Sequence, residues 1–214
     1  MSQGSTLASY EGRNRKLVPA RTAILIVDAQ NAEVTDEVRE KQPFFYEQVH
    51  TRAIPNMKRL IEGARASGAE IIYTVIESLT KDGRDRSLDH KLSNINVPRG
   101  SPLAQVIADV APAEDDIVLP KTSSGVFNST NIDYVLRNLG IEFVVVAGFV
   151  TDQCIDMAIR DGADRGYYMV CATDACAAYS QERHEGALRA FGGYCVLQDV
   201  DGVLGSFGAK DAVL

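Results

Sequence analysis

Apolar residues in this chain follow two spacings that alternate along it. Short, nearly unbroken apolar runs predict strands over Thr22 to Val27, Glu70 to Ile76, Ile117 to Leu119, Phe143 to Ala147, Tyr167 to Ala172 and Tyr194 to Leu197. Such runs are what strands covered on both faces require. Between them the period changes to that of a helix. Met57, Leu60, Ile61 and Ala64 form one apolar stripe, opened by Pro55 and stopped by Gly68. Ile132, Val135, Leu136 and Leu139 form a second, with Ser129 or Thr130 as cap and Gly140 as terminator. Ile155, Ala158, Ile159 and Gly162 form a third. Ser180 to Phe191 reads as a helix, and Pro102 opens a short one. Ala32 to Val49 has no clean period, and Pro43-Phe44-Phe45-Tyr46 reads as a loop wrapped over a site or a neighbour.

Strands alternating with helices at this spacing imply right-handed βαβ crossovers and a mainly parallel sheet, hence an α/β fold. Residues 1–20 read as a polar N-terminal arm carrying Arg13, Arg15 and Lys16, and residues 21–214 as one domain. Ligands of such sheets bind beyond the carboxyl ends of the strands. Asp28, Lys121 and Cys154 all fall there, after three different strands. No GxGxxG and no Walker glycine loop is present, so no nucleotide cofactor is expected.

Composition narrows the partners. The 214 residues are 45% apolar and 24% charged, which is ordinary for a globular protein. A formal net charge of −7 argues against nucleic acid or an anionic membrane surface as partner. No apolar run is long enough to span a bilayer, and Met1 to Tyr10 lacks the apolar core of a signal peptide. The four cysteines show no CxxC spacing, so reduced thiols in a cytoplasmic protein are expected.

Candidate chemistry centres on Cys154. With Thr151 as N-cap, the thiol falls in a first helical turn, where the helix dipole and unpaired N–H groups lower its pKa. A small buried hydrophobe is the competing reading. Asp28 follows a buried strand directly, a costly place for a carboxylate unless it is paired; a turn or cap aspartate is the alternative. Glu77 ends the second strand, and the charged run Lys81 to Lys91 leaves that same strand end, with Arg84 or Arg86 as candidate contacts for a polar substrate. Cys171 and Cys176 read as structural thiols, and Asp174 as a turn residue.

Three segments then carry a resemblance: ILIVDAQN around Asp28, IVLPKTSSGVFNSTNID around Lys121, and VVVAGFVTDQCIDMAIRDGADRGY around Cys154. In order, and within residues 20–200, they resemble the cysteine-hydrolase branch of the isochorismatase-like hydrolase superfamily. The resemblance implies a single-domain, Rossmann-like three-layer αβα sandwich with a six-stranded, mainly parallel sheet, and a homo-oligomer, dimer or tetramer. It also implies an Asp-Lys-Cys triad: Cys154 as nucleophile, Asp28 as its base, and Lys121 holding the thiolate. The Phe149–Val150 peptide matches the family's cis, non-proline bond, which aims the Val150 N–H, with that of Cys154, at a developing oxyanion.

Two departures narrow the chemistry. Nicotinamidases of this superfamily bind a metal through an Asp-x-His-type cluster, whereas His50, His90 and His184 here are widely separated. No metal site is expected, and nicotinamide becomes the weaker substrate. True isochorismatases do not use a cysteine nucleophile at this position, so Cys154 points to C–N hydrolysis. Gln30, Glu77, Arg84 and Asn128 are the expected contacts to a small ureido, carbamoyl or carboxamide substrate. The alternatives are a different amide hydrolase, or a non-hydrolytic redox sensor using Cys154 as a peroxide-reactive thiol.

Overall fold

The computed structural model describes Arg13 and residues 15–207. Strand β1 (Thr22–Val27) is buried along its whole length. After it come α1 (Asp36–Lys41), α2 (Pro43–Gln48), a wide turn over Val49–Ala53, and α3 (Ile54–Ala66). Strand β2 (Glu70–Ile76) leads through α4 (Leu88–Leu92) to β3 (Ile117–Lys121), α5 (Val126–Ser129) and α6 (Ile132–Asn138). The second half holds β4 (Phe143–Phe149), α7 (Asp156–Asp164), β5 (Tyr168–Ala177), α8 (Gln181–Phe191), β6 (Val196–Gln198) and α9 (Val200–Phe207).

All six strands are parallel and lie in the order β3-β2-β1-β4-β5-β6. The chain steps outward from β1 to β2 and β3, then returns to place β4 on the other flank of β1. Loops leaving the carboxyl ends of β1 and β4 therefore part company, and a crevice opens between them.

Side-chain alternation builds the layers. Along β1, Ile24 and Ile26 face one side with Met57, Leu60 and Ala64 of α3 and Val200 and Val203 of α9. Ala23, Leu25 and Val27 face the other, with Ile132 and Leu136 of α6 and Ala158 and Ile159 of α7. A period of two on the strand thus feeds two cores, giving the three-layer αβα sandwich.

Several elements depart from the sequence pattern, each for a local reason. Pro43–Tyr46 is not a loop: Pro43 occupies the first turn of α2, and Phe45 is fully buried against Phe149 and Tyr179, at ring separations of 5.5 and 5.1 Å. Strand β3 runs on through Pro120, which an edge strand tolerates because a missing N–H there breaks no second ladder. Strand β5 continues to Ala177 because its pairing with β4 resumes after a bulge: Val146 pairs with Cys171, and Gly148 with Cys176. Helix α9 gives no clear sequence signal; Asp174 secures its start, accepting a hydrogen bond from Val200 N–H at 2.9 Å.

Of the expected arm, Met1–Gly12 and Asn14 lie outside the described residues, as do residues 208–214. Leu17 is buried, and Arg15 pairs with Glu142 at 3.2 Å while lying over the Phe143 ring. Among the described residues no helix is long and apolar enough to cross a membrane.

One glycine is indispensable to this arrangement. Gly148 has φ of 124°, and a Cβ there would stand 2.0 Å from the Val27 carbonyl oxygen on the neighbouring strand. Gly148→Ala is therefore expected to cost on the order of 3–5 kcal/mol, or roughly 10 °C in Tm. Thermal unfolding checks this; an unchanged midpoint would contradict the close approach of β1 and β4.

Candidate active site

Three strand ends meet at the crevice. Asp28 follows β1 in the left-handed region, φ 56°, a conformation aspartate tolerates better than most residues. Its N–H donates to Thr74 C=O on β2, so the turn begins where the ladder is still paired. Lys121 ends β3, opposite Ile76 of β2. Its ammonium lies 2.9 Å from Asp28 Oδ2, donates to Ser123 C=O at 2.8 Å, and stands 3.5 Å from Cys154 Sγ. Both charged side chains are buried, the lysine at 0% and the aspartate at 2% exposure. Such a pair persists only where each charge has a partner, since an unpaired charge here is severely destabilising.

Cys154 reaches the site from the β4 side. The segment after β4 enters its helix through a wide turn, Thr151–Ile155, in which Ile155 N–H reaches Val150 C=O at 3.3 Å. Thr151 does not cap it. Its hydroxyl is buried against His184 Nδ1 at 2.9 Å, on α8. Nor is the thiol acidic, as the helix-dipole argument anticipated. Burial, then the charge of Asp28, push its pKa up to about 12 against the opposing pull of Lys121. Burial likewise raises the pKa of Asp28, although Lys121 works against it. Burial disfavours the Lys121 ammonium too, but Asp28 and Cys154 outweigh that and hold its pKa above the ordinary value. The proton of the trio is thus poised between a thiol and a carboxylate, both less willing than usual to give one up.

The Phe149–Val150 peptide is cis. Among the described residues, Val150 N–H meets no protein acceptor. Beside Cys154 is a cavity of about 100 Å³ lined by Asp28, Glu33, His90, Ser124, Val150, Gln153 and Tyr179, with Ile76, Ile95 and Phe149 as apolar wall. Through Ile95, Ser124, Gln153 and Tyr179 it shares walls with an outer basin of about 590 Å³ that also carries Asp89, Asp152 and Asp156. A cavity of about 410 Å³ by Tyr168 and Val196 lies at the opposite ends of the strands, away from the trio.

The four expected substrate contacts do not gather here. Gln30 is buried and engaged: its Oε1 accepts from Ile76 N–H at 2.6 Å, and its Nε2 donates to the carbonyls of Ile76 and Leu103 at 3.1 and 3.2 Å. It ties the turn after β1 to the end of β2. Glu77 accepts from Gly100 N–H at 2.7 Å and lines a different cavity, of about 380 Å³. Arg84 is exposed and pairs with Asp82 at 3.0 Å. Asn128 is exposed on α5 and lines none of these walls. Position after a strand end brought these residues forward, but side-chain direction and local hydrogen bonding decide which of them turn inward. Arg86 also serves its own loop, donating to Gly83 and Ile95 carbonyls at 2.9 and 2.7 Å.

Other residues take their places in the cavity. The charged run folds on itself, with Ser87 capping α4 at His90 N–H, and delivers His90 to the cavity wall. His90 faces Ser124 Oγ through Nε2 at 3.4 Å, while Nδ1 has no partner among the described residues. Burial, then Lys121, lower its pKa and keep it neutral. Glu33 lies on the turn Asn31–Val34, where burial and then Asp28 push its pKa up to about 7. Gln153 directly precedes Cys154, and Ser124 lies three residues after Lys121, so both are adjacent in sequence to the residues of the trio. His50, His90 and His184 stay on separate elements, and no group of three or more His, Cys, Asp or Glu among the described residues is placed to hold a metal. All four cysteines are free.

Residues 22–198, from the start of β1 to the end of β6, match the isochorismatase domain. The chain belongs to the isochorismatase family. Within it, the ureidoacrylate amidohydrolase RutB of Agrobacterium fabrum is 30% identical over 176 residues, covering 74% of this chain and 77% of that protein. Among solved structures, a cysteine hydrolase from Pseudomonas syringae pv. phaseolicola shares the fold with a TM-score of 0.79 at 24% identity, covering 91% of this chain and 95% of that one. The N-carbamoylsarcosine amidase of Thermoplasma acidophilum is similar with a TM-score of 0.69 and 25% identity, covering 85% of this chain and 98% of that one.

Two expectations arise from the buried charges of this isochorismatase-family chain. Lys121→Met strands Asp28 in the interior and is expected to cost about 3–5 kcal/mol, much of it recovered by Asp28→Asn in the same chain; denaturant titration of the single and double variants measures the recovery. His184 is 4% exposed, and burial, then Arg52, lower its pKa to about 4. A base whose folded pKa is depressed stabilises the fold above its unfolded value, near 6.5, and that stability is lost as pH falls toward 4. Denaturation midpoints are expected to drop over that window, and less so in His184→Gln.

Proposed function

We propose that this chain is a cysteine amidohydrolase that cleaves a C–N bond of a small ureido, carbamoyl or carboxamide compound through a thioester on Cys154. One observation carries the reading: a buried carboxylate, ammonium and thiol within contact of one another, on the wall of a cavity of about 100 Å³. Sites for drug-sized ligands run to roughly 300–1,000 Å³, so this one suits a molecule of only a few heavy atoms. The names of the amidohydrolase and amidase relatives support the choice of bond.

The chemistry follows from charge. With Asp28 ionised, Lys121 protonated and Cys154 a thiol, the trio is neutral overall. Losing the thiol proton to solvent would leave a net negative charge in a buried site, which is costly. Passing it to Asp28 keeps the sum at zero, and the raised proton affinity of that carboxylate favours the transfer. The thiolate, 3.5 Å from the Lys121 ammonium, then adds to the substrate carbonyl carbon. The oxygen gains the electron pair and is received by the N–H groups of Val150 and Cys154. Asp28 returns its proton to the departing nitrogen as the C–N bond breaks, leaving ammonia or an amine and the thioester. Water, deprotonated by Asp28, adds to the thioester carbonyl, and the thiol regains its proton as the C–S bond breaks.

The alternative, a redox-sensing role for Cys154, is the less favoured reading: such thiols are acidic and accessible, whereas burial and then Asp28 raise the pKa of this one. The nearest thiol pair in the core is Cys171 with Cys176, Sγ to Sγ 4.0 Å.

Ammonia release from a panel of ureides, carbamoyl compounds and carboxamides tests the proposal. Cys154→Ala and Asp28→Asn are each expected to lower kcat by about 10³-fold or more, as for groups that act as a unit. Rapid quenching of the wild type is expected to show an acyl adduct on Cys154 by mass spectrometry. Turnover retained by Cys154→Ala would sink the mechanism.

A further inference from the structure

Cations are scarce around Cys154. The inner cavity wall has two carboxylates, Asp28 and Glu33, and no arginine or lysine. Lys121 stands behind that wall, already committed to Asp28, Ser123 and the thiol. The outer basin adds Asp89, Asp152 and Asp156. Arg183 and Arg160 are close to it, but each is held by one of those aspartates, Asp152 and Asp156. Glu33 and Asp89 have no ion-pair partner among the described residues, so the approach to the nucleophile carries uncompensated negative charge.

Glu33 is the carboxylate best placed to use that charge. It borders the same cavity as Cys154, and no hydrogen bond within the described residues occupies its side chain. Tyr179, on the same wall, feels its charge, and Glu33 in turn feels that of Asp28. The neutral His90, its Nδ1 buried without a partner among the described residues, borders the same cavity.

We infer that this cavity selects ureas or carboxamides that carry no carboxylate, and that Glu33 reads them by accepting a hydrogen bond from a substrate amide, ureido or ammonium N–H. The inference rests on the hydrolase reading for the identity of the scissile group, and on the distribution of charge for the selectivity. It also separates this chain from its Agrobacterium fabrum relative, whose named substrate, ureidoacrylate, bears a carboxylate.

Three ligands of nearly equal size test it: aminoethylurea (cationic), N-carbamoylglycinamide (neutral) and N-carbamoylglycine (anionic). Calorimetric titration of the full-length Cys154→Ala protein at about pH 8, where an acid of pKa about 7 is mostly ionised, reads binding without turnover. The cationic and neutral ligands are expected to bind at least about 10-fold tighter than the anion. Adding Glu33→Gln is expected to weaken aminoethylurea by about 10-fold, while N-carbamoylglycinamide stays within roughly twofold and the anion gains. A purely structural glutamate would weaken all three alike. Glu33→Lys, as a second variant, is expected to reverse the order. Equal or tighter binding of N-carbamoylglycine, binding of none of the three, or a uniform loss in Glu33→Gln overturns the inference. The expected binding order together with absent wild-type turnover would count against hydrolysis while upholding the selectivity.

Discussion

A buried ion pair governs this protein. Asp28 and Lys121 meet at 2.9 Å with almost no solvent access, at the ends of two strands that are not neighbours. Strand β2 lies between them, so the lysine must cross its end to reach the aspartate. Neither charge could stay in the interior alone. Their union fixes how the ends of β1, β2 and β3 align, and it leaves a basic carboxylate and a cation beside whatever thiol β4 delivers.

Much of the surrounding structure serves that meeting. Gly148 lets β4 approach β1 closely enough for the following turn to carry Cys154 to the pair. Gln30 spends all its hydrogen bonds on Ile76 and Leu103, pinning the turn beyond Asp28 to the end of β2. Phe45 packs on Phe149 and Tyr179 and so supports two of the cavity's walls from beneath. None of these residues needs to touch a substrate to matter for one.

The electrostatic setting of the thiol shows why local arguments have limits. A cysteine in a first helical turn has a dipole and free N–H groups in its favour, and both lower a pKa. Here burial and an adjacent carboxylate are the larger influences and act the other way. In the mechanism we propose, the nucleophile is consequently a thiol activated by an internal proton transfer and not by standing ionisation.

The sequence by itself determined the sheet and four of the helices that flank it, α3, α6, α7 and α8, because runs and stripes of apolar residues encode period directly. It also determined that Asp28, Lys121 and Cys154 lie past strand ends, since in a parallel α/β fold that position follows from chain order alone. What it could not determine was direction across the crevice. Glu77, Arg84 and Asn128 share loop neighbourhoods with the trio, yet bond to their own loops or face solvent, while Glu33, His90 and Tyr179 line the cavity. Those choices depend on turn geometry and on which backbone groups each side chain satisfies, contacts made between segments far apart in the chain. Only the tertiary structure decided them, and with them the acidic character of the path to Cys154.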